Sequence, residues 1–181
     1  MNKDYWIKFY KYFHLKTPSD FAHFCLTYMP KKAKIIDVGC GTGRDSYFFG
    51  AHGHTVLGID YAVKPRDKDN VLFHKVNMDD IVKYDNNGFN VVYSRFLLHS
   101  ITNDEIVALL EWTKHLFMAE FRVKGDVPVL YPYHGRNLID LESLFNALDR
   151  MKFKTVYWVK GKGLAKFKGE DPLIGRVIAK K

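Results

Sequence analysis

The run Ile35-Ile36-Asp37-Val38-Gly39-Cys40-Gly41-Thr42-Gly43 sets an acid two residues ahead of a GxGxG loop. Glycines at this spacing let the backbone turn tightly and approach a ligand with no Cβ in the way. Asp60 ends the next apolar run, about 20 residues after the loop, where a carboxylate accepts both hydroxyls of a ribose. Together they predict a site for an adenosine-like cofactor. The GxxxxGK[ST] phosphate loop is missing, and Arg44 stands where a dinucleotide loop has its last glycine. An acid at Asp37 would repel a pyrophosphate. It would suit a group with an ammonium and a sulfonium, a description that fits S-adenosylmethionine (SAM), with S-adenosylhomocysteine as its demethylated product. The plainer alternative is a glycine turn with no ligand.

Methyl transfer from a sulfonium is an in-line displacement, so the protein mainly positions a nucleophile and can supply a base. His99 and Arg95, after the fourth strand with Ser94, are the candidate catalytic side chains. His99 would take a proton; its alternative is a histidine packed at a helix start. Arg95 would hold an anionic group of the substrate, or else pair with Glu120 or Asp37. Glu120 and Arg122 alternate on one strand and so share a face. They either pair with each other or frame the substrate. His134 and Arg136, with Tyr131 and Tyr133, fall in the loop after that strand and are further substrate candidates. Trp6 and Tyr10 belong to an aromatic N-terminal segment that is either a lid over the cofactor's cation or a packing helix. Arg44 could reach the cofactor's carboxylate or sit in a solvated first turn.

The elements that must position these residues alternate. Strands are expected at 34–38, 55–60, 71–76, 89–93, 116–123, 153–159 and 173–180. Helices are expected from a Thr17 cap with Pro18 in the first turn, over 44–52, from a Thr102/Glu105 capping box to about Thr113, and along Leu138, Leu141, Leu144, Phe145 and Leu148. The alternation predicts an α/β, doubly wound sheet of seven mostly parallel strands, helices on both faces, and an antiparallel C-terminal strand. With 181 residues the chain reads as one domain over 1–181, in which 1–30 is the aromatic lid or helix and 31–181 the core. A hydrophobic share of 47% and a charged share of 27% exclude a disordered chain. The absence of a long apolar run argues against membrane insertion. Two cysteines without a CxxC argue against a disulfide framework and fit a reducing cytoplasm. The net charge of +8 suits nucleic acid, an acidic surface or an acidic small substrate. The C-terminal lysines also suit exposed edge strands.

From Lys34 to Ile101 the chain resembles the core of the class I SAM-dependent methyltransferases, which have a Rossmann-like fold. That resemblance implies that Asp37, Gly39, Cys40 and Gly41 hold the methionine end and Asp60 the ribose. It puts Tyr61 against the adenine, with Asn77 and Met78 also on the base and Ser94 near the methyl. Asn77 departs from the family's usual Asp. Further pieces resemble a small stand-alone branch of tellurite-resistance and thiopurine type. These are Tyr5-Trp6 with Phe9-Tyr10, Gly43-Arg44-Asp45-Ser46, Tyr93 to His99, Gly163-Leu164-Ala165 and Gly169-Glu170-Asp171-Pro172. The segment between Arg122 and His134 is shorter than in that branch.

The leading expectation is a methyltransferase acting on a small acidic, phosphorylated or sugar-derived acceptor, as a monomer or homodimer, with no metal. Ser94 stands where metal-dependent relatives place a carboxylate. Two alternatives stay open: an RNA or DNA methyltransferase, less favoured because Tyr93-Ser94-Arg95-Phe96 replaces the base-gripping Asn/Asp-Pro-Pro motif, and a SAM-binding protein without turnover.

Overall fold

Branched and aromatic runs bounded by glycine, asparagine and charged turns set the strand positions. The computed structural model describes residues 3–13, 15–85, 88–125 and 136–181. Its elements are α1 (Lys3–Tyr12), α2 (Asp20–Cys25), β1 (Lys34–Val38), α3 (Arg44–Ala51), β2 (Thr55–Asp60), β3 (Val71–Lys75), α4 (Met78–Ile81) and β4 (Val91–Arg95). A short 3₁₀ turn (Leu98–Ser100) follows. Then come α5 (Asn103–Trp112), β5 (Leu116–Arg122), α6 (Leu141–Arg150), β6 (Lys154–Gly161) and β7 (Ile174–Lys180).

The described strands form one sheet in the order β3-β2-β1-β4-β5-β7-β6. β1, β2, β3, β4 and β5 pair in parallel, and β7 runs antiparallel between β5 and β6. The expected doubly wound, Rossmann-like sheet is therefore the observed one. The order reverses between β1 and β4, and the C-terminal ends of these strands open a crevice at that switch point.

Both faces of the sheet are covered. Ile36, Val38, Phe117 and Phe121 pack against Leu109 and Leu110 of α5 and Leu144 and Leu148 of α6. Ile35, Phe73, Tyr93 and Met118 pack against Phe21 of α2 and Phe48 and Phe49 of α3. Neighbouring residues Ile35 and Ile36 thus serve opposite cores, as period-2 alternation requires. Among the described residues no helix is long and apolar enough to cross a membrane.

Among the boundaries that differ from expectation, three have a polar or pairing cause. Ser19, not Thr17, caps α2: its hydroxyl accepts from the Ala22 N–H, while the Thr17 carbonyl accepts from Arg44. β4 starts at Val91 and runs to Arg95, so Ser94 and Arg95 are strand residues paired to β5. α6 starts at Leu141, because the Asp140 carboxylate accepts from the Ser143 N–H and ends the preceding extended segment.

One polar cluster joins α2, α3 and β4 beneath the crevice. The buried Asp45 carboxylate accepts from the Ser19 N–H, the Ser19 hydroxyl and the Tyr93 hydroxyl, each at 2.8 Å. A carboxylate with three donors is well compensated for its burial. Tyr93→Phe removes one donor and should cost about 1–2 kcal/mol, read as a lower urea midpoint with unchanged m-value. An unshifted midpoint would mean that the hydroxyl contributes nothing net.

Candidate functional site

The glycine loop leaves β1 in a conformation only glycine adopts easily. Gly39, Gly41 and Gly43 have φ of 77°, 53° and 75°. The N–H groups of Gly39 and Cys40 both donate to the Ile59 carbonyl, which ties the loop to the end of β2. The Gly41 N–H donates to one oxygen of Asp60 at 3.0 Å, and the Ala62 N–H to the other at 2.7 Å. The Asp60 carboxylate is thereby fixed beside the loop with acceptor positions to spare, since a carboxylate offers about four. Burial pushes its pKa up, and these amide bonds pull against that shift.

Two cavities meet at the glycine loop, with Gly39 in the lining of both and Asp60 in that of the smaller. A slot of about 70 Å³ is lined by Val38, Ile59, Val76, Met78 and Ile81, with Tyr61 at its side. A chamber of about 470 Å³ spreads from Asp37, Cys40 and Arg44 to His99, Arg122 and Arg136. Trp6, Tyr10, Gly39, Arg95 and Phe96 line both. They are therefore two halves of one cleft, divided by the aromatic side chains of α1. A Cβ added at Gly41 would meet the Tyr10 hydroxyl at 2.6 Å, so the Tyr10 ring lies directly on that glycine. Trp6 stacks on Tyr10 at 6.0 Å. The slot alone is far below the roughly 300 Å³ of an ordinary ligand pocket. The glycine cradle, the spare acceptor positions of Asp60 and the apolar slot have the chemistry a nucleoside needs, and the Tyr10 ring covers the cradle at Gly41.

Asp37 closes β1. Its carboxylate accepts from the Ser46 hydroxyl at 2.5 Å. Burial pushes its pKa up to about 8, against the pull of the Ser46 bond. A neighbouring cation would reverse that shift, as an ammonium group demands of its partner.

The floor of the chamber is ionic. Glu120 has no exposed surface and lies between two guanidinium groups, with Arg95 Nε and Arg176 Nε each 2.7 Å from one of its oxygens. Arg122 pairs with Glu170 at 2.6 Å. Phe96 holds φ of 58°, an uncommon conformation for a bulky residue. Its ring lies 4.5 Å from the Arg95 guanidinium and edge-on to His99 at 5.4 Å. His99 is buried, and its Nδ1 accepts from the Arg122 backbone N–H at 3.1 Å.

Most of the candidate residues meet at this cleft. Trp6, Tyr10, Asp37, Gly39, Cys40, Gly41, Arg44, Asp60, Tyr61, Met78, Arg95, His99, Arg122 and Arg136 all line it. Three lie elsewhere. Glu120 sits beneath the lining and pairs with Arg95 and Arg176 instead of Arg122. Ser94 is buried, with its hydroxyl 3.3 Å from the Val38 carbonyl. Asn77 is exposed at the start of α4, and its neighbour Met78 enters the slot. His134, Tyr131 and Tyr133 lie outside the described residues. Asp45, Phe96 and Glu170 fall in the stretches that resemble the branch but receive no site role from the sequence, and Arg176 receives none either, although a lone arginine inside the apolar run Leu173–Lys180 is a usable signal.

A family model described as a methyltransferase domain matches residues 10–119. No curated protein sequence matches the chain. Solved structures match its fold. A SAM-dependent methyltransferase from Anabaena variabilis superposes with a TM-score of 0.71 at 14% identity, over 98% of this chain and 92% of its own. One from Methanosarcina mazei gives 0.69 at 17% identity, over 87% and 96%. The 1,6-didemethyltoxoflavin-N1-methyltransferase of Burkholderia thailandensis, with 1,6-didemethyltoxoflavin and S-adenosylhomocysteine bound, gives 0.70 at 18% identity, over 89% and 76%.

The raised pKa of Asp37 has a defined sign. Its ordinary value is 3.8 and its folded value about 8. The folded state holds the proton more tightly, so this group's contribution to stability is complete at acid pH and is lost as pH rises between those values. Asp37→Asn should therefore raise the Tm by several degrees at pH 8 and leave it unchanged near pH 4. A Tm gain independent of pH would contradict the burial argument.

The family match covers more than half of the chain and falls on the glycine loop, Asp60 and the strands that present them: the chain belongs to the methyltransferase domain family, in its class I, Rossmann-like form.

Proposed function

We propose that this protein transfers the methyl group of SAM to a small, anionic acceptor. The observation that carries the reading is the junction of the positive-φ glycine loop with Asp60. One Asp60 oxygen is anchored to Gly41, and the cleft runs from an apolar slot on one side to a cationic chamber on the other. Bound SAM supplies an electrophilic methyl on a sulfonium. Asp60 would take the ribose hydroxyls, and Val38, Ile59, Met78 and Tyr61 the adenine. Asp37 would face the ammonium, and Arg44 the carboxylate. Trp6 and Tyr10 of α1 would close over the cofactor and keep water out.

A small acceptor suits the second half of the cleft. Its 470 Å³ lies within the usual range of small-molecule pockets, roughly 300–1,000 Å³. Aromatic side chains of α1 and the 162–173 segment roof it. The Lys168 ammonium sits 3.7 Å from the Phe13 ring, joining the two. The Burkholderia neighbour crystallised with a small heterocycle supports the same reading. A nucleic acid would need an open groove, which this roof does not favour. The tellurite-resistance and thiopurine branch remains the finer placement. It rests on the aromatic start, Gly43-Arg44-Asp45-Ser46 and the C-terminal Gly-Glu-Asp-Pro turn.

Calorimetry with SAM and S-adenosylhomocysteine tests the cofactor. Both should bind, and saturation at 100 times Kd should add about 2.7 kcal/mol of stability. Asp60→Ala should weaken both by at least about tenfold, the worth of one charge-assisted hydrogen bond. Equal affinity in the variant would overturn the assignment of Asp60. Tyr10→Ala should weaken SAM binding, since the ring would close over the bound cofactor. Equal or tighter binding would show that the ring only covers Gly41 and does not hold the cofactor.

A further inference from the structure

The arginines of the chamber differ in what they already hold. Arg44 Nη1 donates to the Thr17 carbonyl at 3.1 Å, Arg122 Nη2 to Glu170 at 2.6 Å and Arg176 Nη2 to the Leu164 carbonyl at 2.8 Å. The Arg95 guanidinium donates a hydrogen bond to no described residue. Its Nε lies 2.7 Å from Glu120 Oε1, but the N–H is not aimed at that oxygen, so the contact is Coulombic. A guanidinium carries five N–H donors in a planar fork, and leaving them unmet in a partly buried site is costly.

Arg95 is nonetheless held in place from two sides. The Glu120 carboxylate anchors its charge, and the Phe96 N–H donates to the Glu120 carbonyl at 2.7 Å, which ties the next residue to the same point of β5. The Phe96 ring then lies 4.5 Å from the guanidinium. The Arg95 side chain keeps 20% of its surface, against 9% for Arg122 and Arg176, and it lines both halves of the cleft. Burial and the nearby Arg95 lower the pKa of Arg44, so the potential between these two arginines is positive. Phe9, Phe13 and Phe96 supply flat apolar surface in the same chamber.

We infer that Arg95 selects the acceptor: its terminal N–H groups grip an oxyanion, a carboxylate or a phosphate, carried on a flat apolar body. The inference rests on the reading of SAM as methyl donor. A planar guanidinium meets two oxygens of either group with two parallel N–H···O bonds. The anion takes donors that the described residues leave open, and it offsets the positive charge shared by Arg44 and Arg95. Because Arg95 lines both halves of the cleft, the oxyanion sits at their junction, with the body of the acceptor in the chamber. Arg44 stays with the cofactor's carboxylate, so the two guanidinium groups divide two anions between them.

Calorimetry on the full chain saturated with S-adenosylhomocysteine tests this, with benzoate and phenyl phosphate as probes and benzamide and phenol as uncharged controls. At least one anion should bind, and the controls should bind at least about tenfold more weakly, the worth of one charge-assisted hydrogen bond. Tighter benzoate assigns a carboxylate, and tighter phenyl phosphate a phosphate. Arg95→Lys keeps a charge beside Glu120 but loses the fork. It should bind the preferred anion at least about tenfold more weakly and S-adenosylhomocysteine as the parent does. Should that variant fail to fold, Arg95→Gln combined with Glu120→Gln removes both charges of the ion pair and should show the same split. Equal anion affinity in the variant would overturn the inference, as would benzamide binding as tightly as benzoate. A parallel loss of S-adenosylhomocysteine affinity would overturn it too, because Arg95 would then serve the cofactor. Binding of S-adenosylhomocysteine with neither anion bound would overturn the inference alone. Failure to bind S-adenosylhomocysteine would remove the donor reading together with it.

Discussion

A single carboxylate with no access to water organises the active half of this protein. Glu120 lies on β5, where the parallel strands meet the antiparallel β7. Its two oxygens hold Arg95 from β4 and Arg176 from β7. Burying a charge so deeply is tolerable only with partners on both oxygens, and losing either partner would leave an uncompensated ion. The pairing therefore locks three adjacent strands in register at the end where the crevice opens. It also leaves more positive charge than negative in the chamber floor, since one carboxylate answers two guanidinium groups.

The same logic recurs on the cofactor side with acids instead of bases. Asp37, Asp45 and Asp60 lie within one turn of the glycine loop or at the neighbouring strand end, and each is buried. Asp45 is fully committed to structure through Ser19 and Tyr93. Asp60 is anchored to backbone amides but keeps acceptor capacity. Asp37 has one hydrogen bond and a strongly raised pKa, so it is the carboxylate that most needs a cation. Three acids close in sequence thus hold three roles, and the number of donors each one meets separates them. The cleft is acidic at one end and basic at the other.

Helix α1 couples the two ends. Tyr10 covers Gly41 on the cofactor side, while Phe9 and Phe13 face the chamber. Tyr10 and Phe9 sit on one helix, so the cover of the glycine loop and the wall of the chamber belong to a single element. The aromatic residues of α1 stack mainly on one another and on Lys168, contacts that are individually small and can re-form in a second arrangement.

The sequence alone determined the sheet, the glycine loop and the acid at the end of β2. Each is local: alternating apolar runs specify strands, glycines specify positive φ, and the strand-to-strand spacing places Asp60 beside the loop. It also singled out His99, Arg95, Arg122 and Arg136, because charged residues at strand ends and in the loops after them stand out from apolar surroundings. Tertiary structure alone decided what those residues do. Glu120 and Arg122 share a face, yet each finds its partner on a different element, because Arg176 and Glu170 come from the far end of the chain. Ser94 turns into the sheet because β4 extends two residues beyond its apolar run. The bond that His99 Nδ1 accepts comes from the backbone N–H of Arg122, 23 residues away. Pairings of this kind depend on distances in space between segments remote in sequence, and no residue pattern encodes them locally.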